Sequence, residues 1–209
     1  MTIDWKKTTQ QGWIDAIEKD GYDIVGTLKF YNGRRISKKN ALAIHKAYWH
    51  KVDRTLFGLA ADKGYGVERW CFTEYGKDEK NLHIHFVAKS PLAVLPTCAI
   101  LNALWVGIKG CTANAHGNWI TPIQEPQDAI GYVVKDARHL KTDKIGEATS
   151  HTNKPGTNLE TFDTEAQIRR ITSRLSNEQL TTSYQALEMQ IIETTKRAQK
   201  RQARENRTL

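Results

Sequence analysis

The sequence predicts an α+β fold: an antiparallel sheet whose elements alternate β-α-β-β-α-β, followed by C-terminal helices. Three observations predict it. Residues 82–88 switch faces with period two, the pattern of a half-buried strand, and residues 23–30, 67–75 and 119–121 read as further strands bounded by turn residues. Apolar residues recur with helical spacing in the segments between them. The two central strands are separated only by the polar turn G-K-D-E-K-N, which makes them a hairpin.

Taken in order, the first strand is I-V-G-T-L-K-F, Ile24 to Phe30, and Asn32-Gly33 turns it. Ser37 is placed to cap a helix reaching Phe57, with Ala41, Ile44, Tyr48, Val52 and Leu56 as its apolar stripe. Residues 58–66 are turn-rich and lead into the hairpin. Pro91 and Pro96 end the second hairpin strand and open a helix through Trp105; a short strand follows at Trp119. Pro126 then starts a helix in which Ile130, Val133, Val134 and Ala137 form the docking stripe and Tyr132, Lys135, Asp136 and His139 the opposite one. This order is the ferredoxin-like or RNA-recognition-like arrangement. Trp70, Phe72 and Tyr31 read as core aromatics, with base stacking as the other reading for any of them on an open face.

No helix is assigned ahead of the first strand. Residues 1–145 are read as one domain, 146–163 as a polar linker and 164–209 as a helical, basic extension. In that extension Ser176 and Gln179 match a capping box, and Leu180, Tyr184, Leu187 and Ile191 mark either a docked helix or an oligomer seam. Its end carries Lys196, Arg197, Lys200, Arg201 and Arg204, either a solvated face or a grip on DNA.

Composition narrows the function classes. The chain of 209 residues has 31 Lys and Arg against 23 acidic residues, a net charge of +8, which favours a polyanionic partner. Its 3 cysteines lack any paired spacing, so neither a disulfide framework nor a zinc cluster is expected. No apolar stretch follows the N-terminal charges and no run approaches the length of a membrane span, so the expectation is a cytoplasmic protein with no membrane partner. There is no phosphate-binding G-x-x-x-x-G-K-[ST] loop, hence no appended helicase.

The chemistry sits in two segments. In N-L-H-I-H-F-V-A-K, Asn81 to Lys89, period two places His83 and His85 on one strand face, half of a divalent-metal site. An isolated H-x-H is more often a pair of surface histidines. In G-Y-V-V-K-D, Gly131 to Asp136, Tyr132 and Lys135 share the helix side away from the docking stripe, so one phosphate can be attacked by the phenol and charge-stabilised by the ammonium. Arg34, Arg35, Lys38 and Lys39 form a basic cluster that reads equally as a phosphate contact or a charged helix start; Lys29, Arg34, Arg35, Lys38, Lys200 and Arg201 are the candidate DNA contacts.

These motifs resemble the HUH endonucleases, and among them the rolling-circle replication initiators, or Rep proteins, of plasmids, phages and small single-stranded DNA viruses. I-V-G-T-L-K-F, L-H-I-H and Y-x-x-K-D are similar to the three motifs of that family in order, over roughly residues 22–140. The first strand departs in having Gly26 before Thr27 and no leading aromatic. The helix motif lacks a second tyrosine, which implies a one-tyrosine enzyme.

The resemblance implies a nickase and strand transferase acting through a 5′-phosphotyrosine on Tyr132, assisted by Lys135. It implies Mg²⁺ or Mn²⁺ held by His83, His85 and Glu74, with Asp78 or Glu79 as substitutes for Glu74. Its partners would be single-stranded or locally melted origin DNA and the host helicase and polymerase. The competing expectations are a tyrosine transposase-like strand transferase, a water-activated metal phosphodiesterase, and a non-catalytic single-strand-binding module.

Overall fold

The computed structural model describes residues 4–75, 81–109, 111, 115–135, 148–153 and 164–206. It is α+β. Five strands, β1 (Ile24–Lys29), β2 (Arg69–Glu74), β3 (His83–Ala88), β4 (Trp119–Pro122) and β5 (Ala148–His151), form one sheet in the order β4-β1-β3-β2-β5. Every pairing is antiparallel. The helices are α1 (Trp5–Lys19), α2 (Lys38–Phe57), α3 (Val94–Val106), α4 (Pro126–Val133), α5 (Thr164–Arg174) and α6 (Asn177–Glu205).

Helices pack on both faces of the sheet, over all of one and part of the other. On one, Ile24, Leu28, Cys71, Ile84 and Phe86 join Tyr48, Trp49, Val52 and Leu56 of α2 and Leu101, Leu104 and Trp105 of α3 in the main core. Gly26 belongs to this face. A Cβ there would lie 2.1 Å from a ring carbon of Phe86, its register partner, so the glycine is the space into which that fully buried ring fits.

On the other face, Val87 and Phe72 pack with Ile130 and Val133 of α4, with Val134 at its C-cap, and with Ile14 and Ile17 of α1. Helix α1 lies outside the sequence expectation because, Trp5 apart, its first half is polar. Packing holds it: Trp13 meets Trp70 and Phe72 edge to face at 5.1 and 5.5 Å, and Gln10 donates to the Gly131 carbonyl at 3.1 Å. The adjacent Trp13 and Ile14, with Ile17 one turn on, were the available signal.

Strand β5 falls inside the stretch read as linker. It pairs with β2, and Asn153 just beyond it bonds both backbone groups of Gly66, accepting from N at 2.9 Å and donating to O at 2.8 Å. Four residues, three of them polar, carry little hydrophobic alternation; the edge is made by backbone pairing instead.

The C-terminal helices pack on the same body. Arg170 donates to the carbonyls of Thr55 and Leu56, satisfying the end of α2. Ser176 and Gln179 form both bonds of the expected capping box. The Leu180–Leu187–Ile191 stripe is that of a docked helix, with Ala186 and Leu187 buried and Leu180 and Ile191 against the main core, while Tyr184 is partly exposed. Gln190 acts as a short strand surrogate on the outer edge of β4: it accepts from Ile120 N at 3.2 Å and donates to Asn118 O at 2.6 Å. Those two backbone groups would otherwise be buried without partners. Among the described residues no helix is long and apolar enough to cross a membrane.

Candidate metal centre and tyrosine

In antiparallel pairs, directly opposed residues project from the same face. The register therefore builds two rows across the face that carries α1 and α4. One is Glu74–His83–Lys29 on β2, β3 and β1; the next is Phe72–His85–Thr27–Trp119, reaching β4. The helices cover the Trp70–Val87 end of this face, whereas at the other end His83 is half-buried and Lys29 exposed.

Glu74, His83 and His85 each present one donor atom, all within 4.8 Å of one another. The Nε2 atoms of the two imidazoles are 3.1 Å apart, and Glu74 Oε2 lies 2.7 Å from His85 Nε2 and 3.5 Å from His83 Nε2. Donors at right angles around one ion, each ~2.1 Å from it, are about 3 Å apart, so the spacings in this set are of the size a single divalent ion takes.

The outer nitrogens are arranged to match. His83 Nδ1 bonds the Asn81 carbonyl at 2.8 Å; a carbonyl only accepts, so Nδ1 carries a proton, and a ring protonated there alone would turn its Nε2 lone pair inward to an ion. His85 Nδ1 bonds Thr27 Oγ1 at 2.9 Å, and a hydroxyl can accept from it in the same way. The group can hold a metal ion.

Electrostatics favour the ligand forms. Burial penalises the Glu74 carboxylate, but hydrogen bonds from His83 and His85 and their charge outweigh this and hold the carboxyl well below the usual range. Burial lowers the His85 imidazole, with Glu74 opposing only in part. Burial would also lower Lys135, yet its bond to Glu74 and that carboxylate's charge keep it raised and cationic.

Tyr132 and Lys135 reach the same place from α4. The Tyr132 ring stands edge to face on His85, centroids 5.0 Å apart, and Tyr132 is 54% exposed despite that contact. Lys135 Nζ lies 3.1 Å from Glu74 Oε2 and 4.0 Å from the centre of the Tyr132 ring. Helix α4 is shorter than its periodicity predicted. It stops at Val133, and Lys135 sits in the following turn, its N–H directed at the Tyr132 carbonyl at 3.4 Å. The phenol and ammonium still meet, because Ile130, Val133 and Val134 are buried and turn the other side outward. Asp136, Ala137, His139, Asp78 and Glu79 lie outside the described residues.

The candidate DNA contacts divide. Lys29 is beside His83 on the same face. Arg34 and Arg35 are exposed on a loop that Leu82 N pins to the start of β3 through a 2.9 Å bond to the Gly33 carbonyl, and Lys38 opens α2. Lys200 is exposed on α6, whereas Arg201 ion-pairs with Asp128 in the first turn of α4. Tyr31, read as core, is 81% exposed. Sequence reasoning passed over Thr27 and Asn81 as supports. Period two already put Thr27 on the face of Val25 and Lys29, but its neighbour is chosen by pairing, and Asn81 acts through its backbone, which leaves no side-chain signal.

Comparison with family models, with curated proteins and with solved structures finds no match for this chain.

Proposed function

We propose that the chain is a metal-dependent, site-specific single-stranded DNA endonuclease and strand transferase, a rolling-circle replication initiator of the HUH type with Tyr132 as nucleophile. One observation carries the reading: the Tyr132 ring, the Lys135 ammonium and the Glu74–His83–His85 donor set meet at one point on the sheet. The strand order β4-β1-β3-β2 supports it, being the order a β-α-β-β-α-β chain makes in a ferredoxin-like sheet, with β5 added at the edge.

Glu74, His83 and His85 would hold Mg²⁺ or Mn²⁺, which supplies Lewis acidity toward the oxygens of the scissile phosphate. Glu74, kept ionised, orients Lys135, and that ammonium, beside the Tyr132 ring, balances the charge of the phosphate. Tyr132 Oη, giving its proton to water, attacks phosphorus; the bond to the 3′ oxygen breaks, and the leaving oxygen takes a proton from water to become a 3′-OH. The 5′ phosphate stays esterified to Tyr132. Because that bond is itself a phosphodiester, a later 3′-OH can displace the tyrosine and reseal a strand without ATP. Lys29 and the Arg34–Arg35 loop suit the flanking phosphates.

The test is incubation with Mn²⁺ and labelled single strands and hairpins taken from the DNA flanking the gene, resolved on denaturing gels. A covalent protein–DNA band is expected, abolished by Tyr132→Phe and by EDTA. Cleavage that survives Tyr132→Phe would instead identify a water-activated phosphodiesterase, and absence of both cleavage and adduct would refute the proposal.

A further inference from the structure

We propose that Trp119 and Arg197 form a stacking subsite for one unpaired nucleobase beside the phosphate that is cut. The inference deepens the nickase reading and rests on it for the identity of the occupant, single-stranded DNA.

Trp119 ends the row that contains the centre: it opposes Thr27, whose hydroxyl bonds His85. Two strand spacings separate Trp119 from His85, roughly 10 Å along the sheet, so a nucleotide adjoining a phosphate at the histidines is within reach of the indole. The indole belongs to neither hydrophobic core and is only half-buried. A tryptophan left out of both cores, on the open side of the reactive face, is a surface for a planar ligand rather than packing.

The strand that carries it is held still. Gln190 of α6 closes the outer edge of β4 on either side of Trp119, bonding Asn118 O and Ile120 N. Seven residues on, two turns along the same side of α6, Arg197 places its guanidinium over the Trp119 ring, 5.4 Å from the centroid. Arg197 also pairs with Glu193, and one turn further Arg201 pairs with Asp128 of the tyrosine helix. The basic end of α6 therefore runs along the β4 rim of the site.

A base stacking on the indole takes the position of the guanidinium over the ring, and Arg197 is then placed to meet a neighbouring phosphate. Stacking of this kind is indifferent to base identity, since every base has a π face. The subsite would position the strand rather than read its sequence.

The experiment uses fluorescein-labelled dT20 and the full chain in EDTA, so that binding is measured without cleavage. Anisotropy titration should show Trp119→Ala weakened roughly 5- to 100-fold. Trp119→Phe should stay close to wild type, and Arg197→Ala should be weaker with a shallower salt dependence. Photocrosslinking of 5-iodouracil-substituted dT20 to the wild-type protein should map to the peptide containing Trp119, a readout that needs no variant to fold. If Trp119→Ala, with a circular dichroism spectrum like wild type, binds dT20 equally well, or if the crosslink maps elsewhere, the subsite is overturned even where Tyr132-dependent cleavage is intact. Trp119-dependent binding by a protein that cleaves nothing would uphold the subsite and sink the nickase reading. No binding of dT20 by the wild type would refute the subsite.

Discussion

Replacing Thr27 by valine removes one hydroxyl at nearly constant shape, and its cost should fall on the metal-bound state. His85 is 1% exposed, and Thr27 Oγ1, 2.9 Å from Nδ1, is the partner on the outer side of its ring. To offer the Nε2 lone pair to an ion, neutral His85 must carry its proton on Nδ1. In Thr27→Val that N–H has no acceptor and no water to replace it. Without metal the ring escapes by moving the proton to Nε2, where Glu74 accepts it at 2.7 Å. The variant thus stabilises the wrong tautomer.

Removing such an orienting partner lowers metal affinity about 10- to 100-fold, or about 1.4 to 2.8 kcal/mol. Isothermal titration with Mn²⁺ at neutral pH measures it directly, with Thr27→Ser retaining affinity within a few-fold. If Thr27→Val binds Mn²⁺ as tightly as the wild type, His85 does not ligate through Nε2 with a proton on Nδ1, and the account of the centre fails.

Two further outcomes concern the fold that carries the site. Gly26→Ala puts a methyl 2.1 Å from a Phe86 ring carbon, about 1.4 Å short of an ordinary ~3.5 Å contact, in a core with no room to yield. Urea unfolding should show a loss of about 1–3 kcal/mol, and an unchanged midpoint would contradict the packing described. His45 is buried, accepts from Trp49 Nε1 at 2.8 Å, and has its imidazole pushed down to about 4 by burial first and then by the charge of Arg69. The unfolded chain, with an ordinary histidine near 6.5, takes up the proton first. Stability should therefore fall as pH drops from about 6.5 toward 4, by about 3 kcal/mol in full. Comparing urea unfolding of wild type and His45→Gln at pH 7 and pH 5 isolates this contribution; equal pH dependences would rule it out.

Local periodicity carried a great deal. Alternation in L-H-I-H was enough to put His83 and His85 on one face, because side chains on a strand switch sides at every residue whatever the strand pairs with. Helical spacing from Ile130 to Val134 was enough to turn Tyr132 away from the core, and Ser176 with Gln179 marked a helix start that depends only on its own first turn. Short-range geometry acts within a few residues and leaves its pattern in those residues.

What tertiary structure decided is everything set by register and by contact at long range. Glu74 joins the histidines because β2 pairs with β3 so that Glu74 opposes His83, and a one-residue slip would have turned it into the other core. Thr27 reaches His85 through the β1–β3 pairing, and Trp119 enters the same row through β4, ninety-two positions further along the chain. Helix α1 and strand β5 exist because a sheet face and a sheet edge needed covering, a demand their own residues hardly show. Hydrogen-bond register across the sheet is a property of two segments together, so neither segment alone records it.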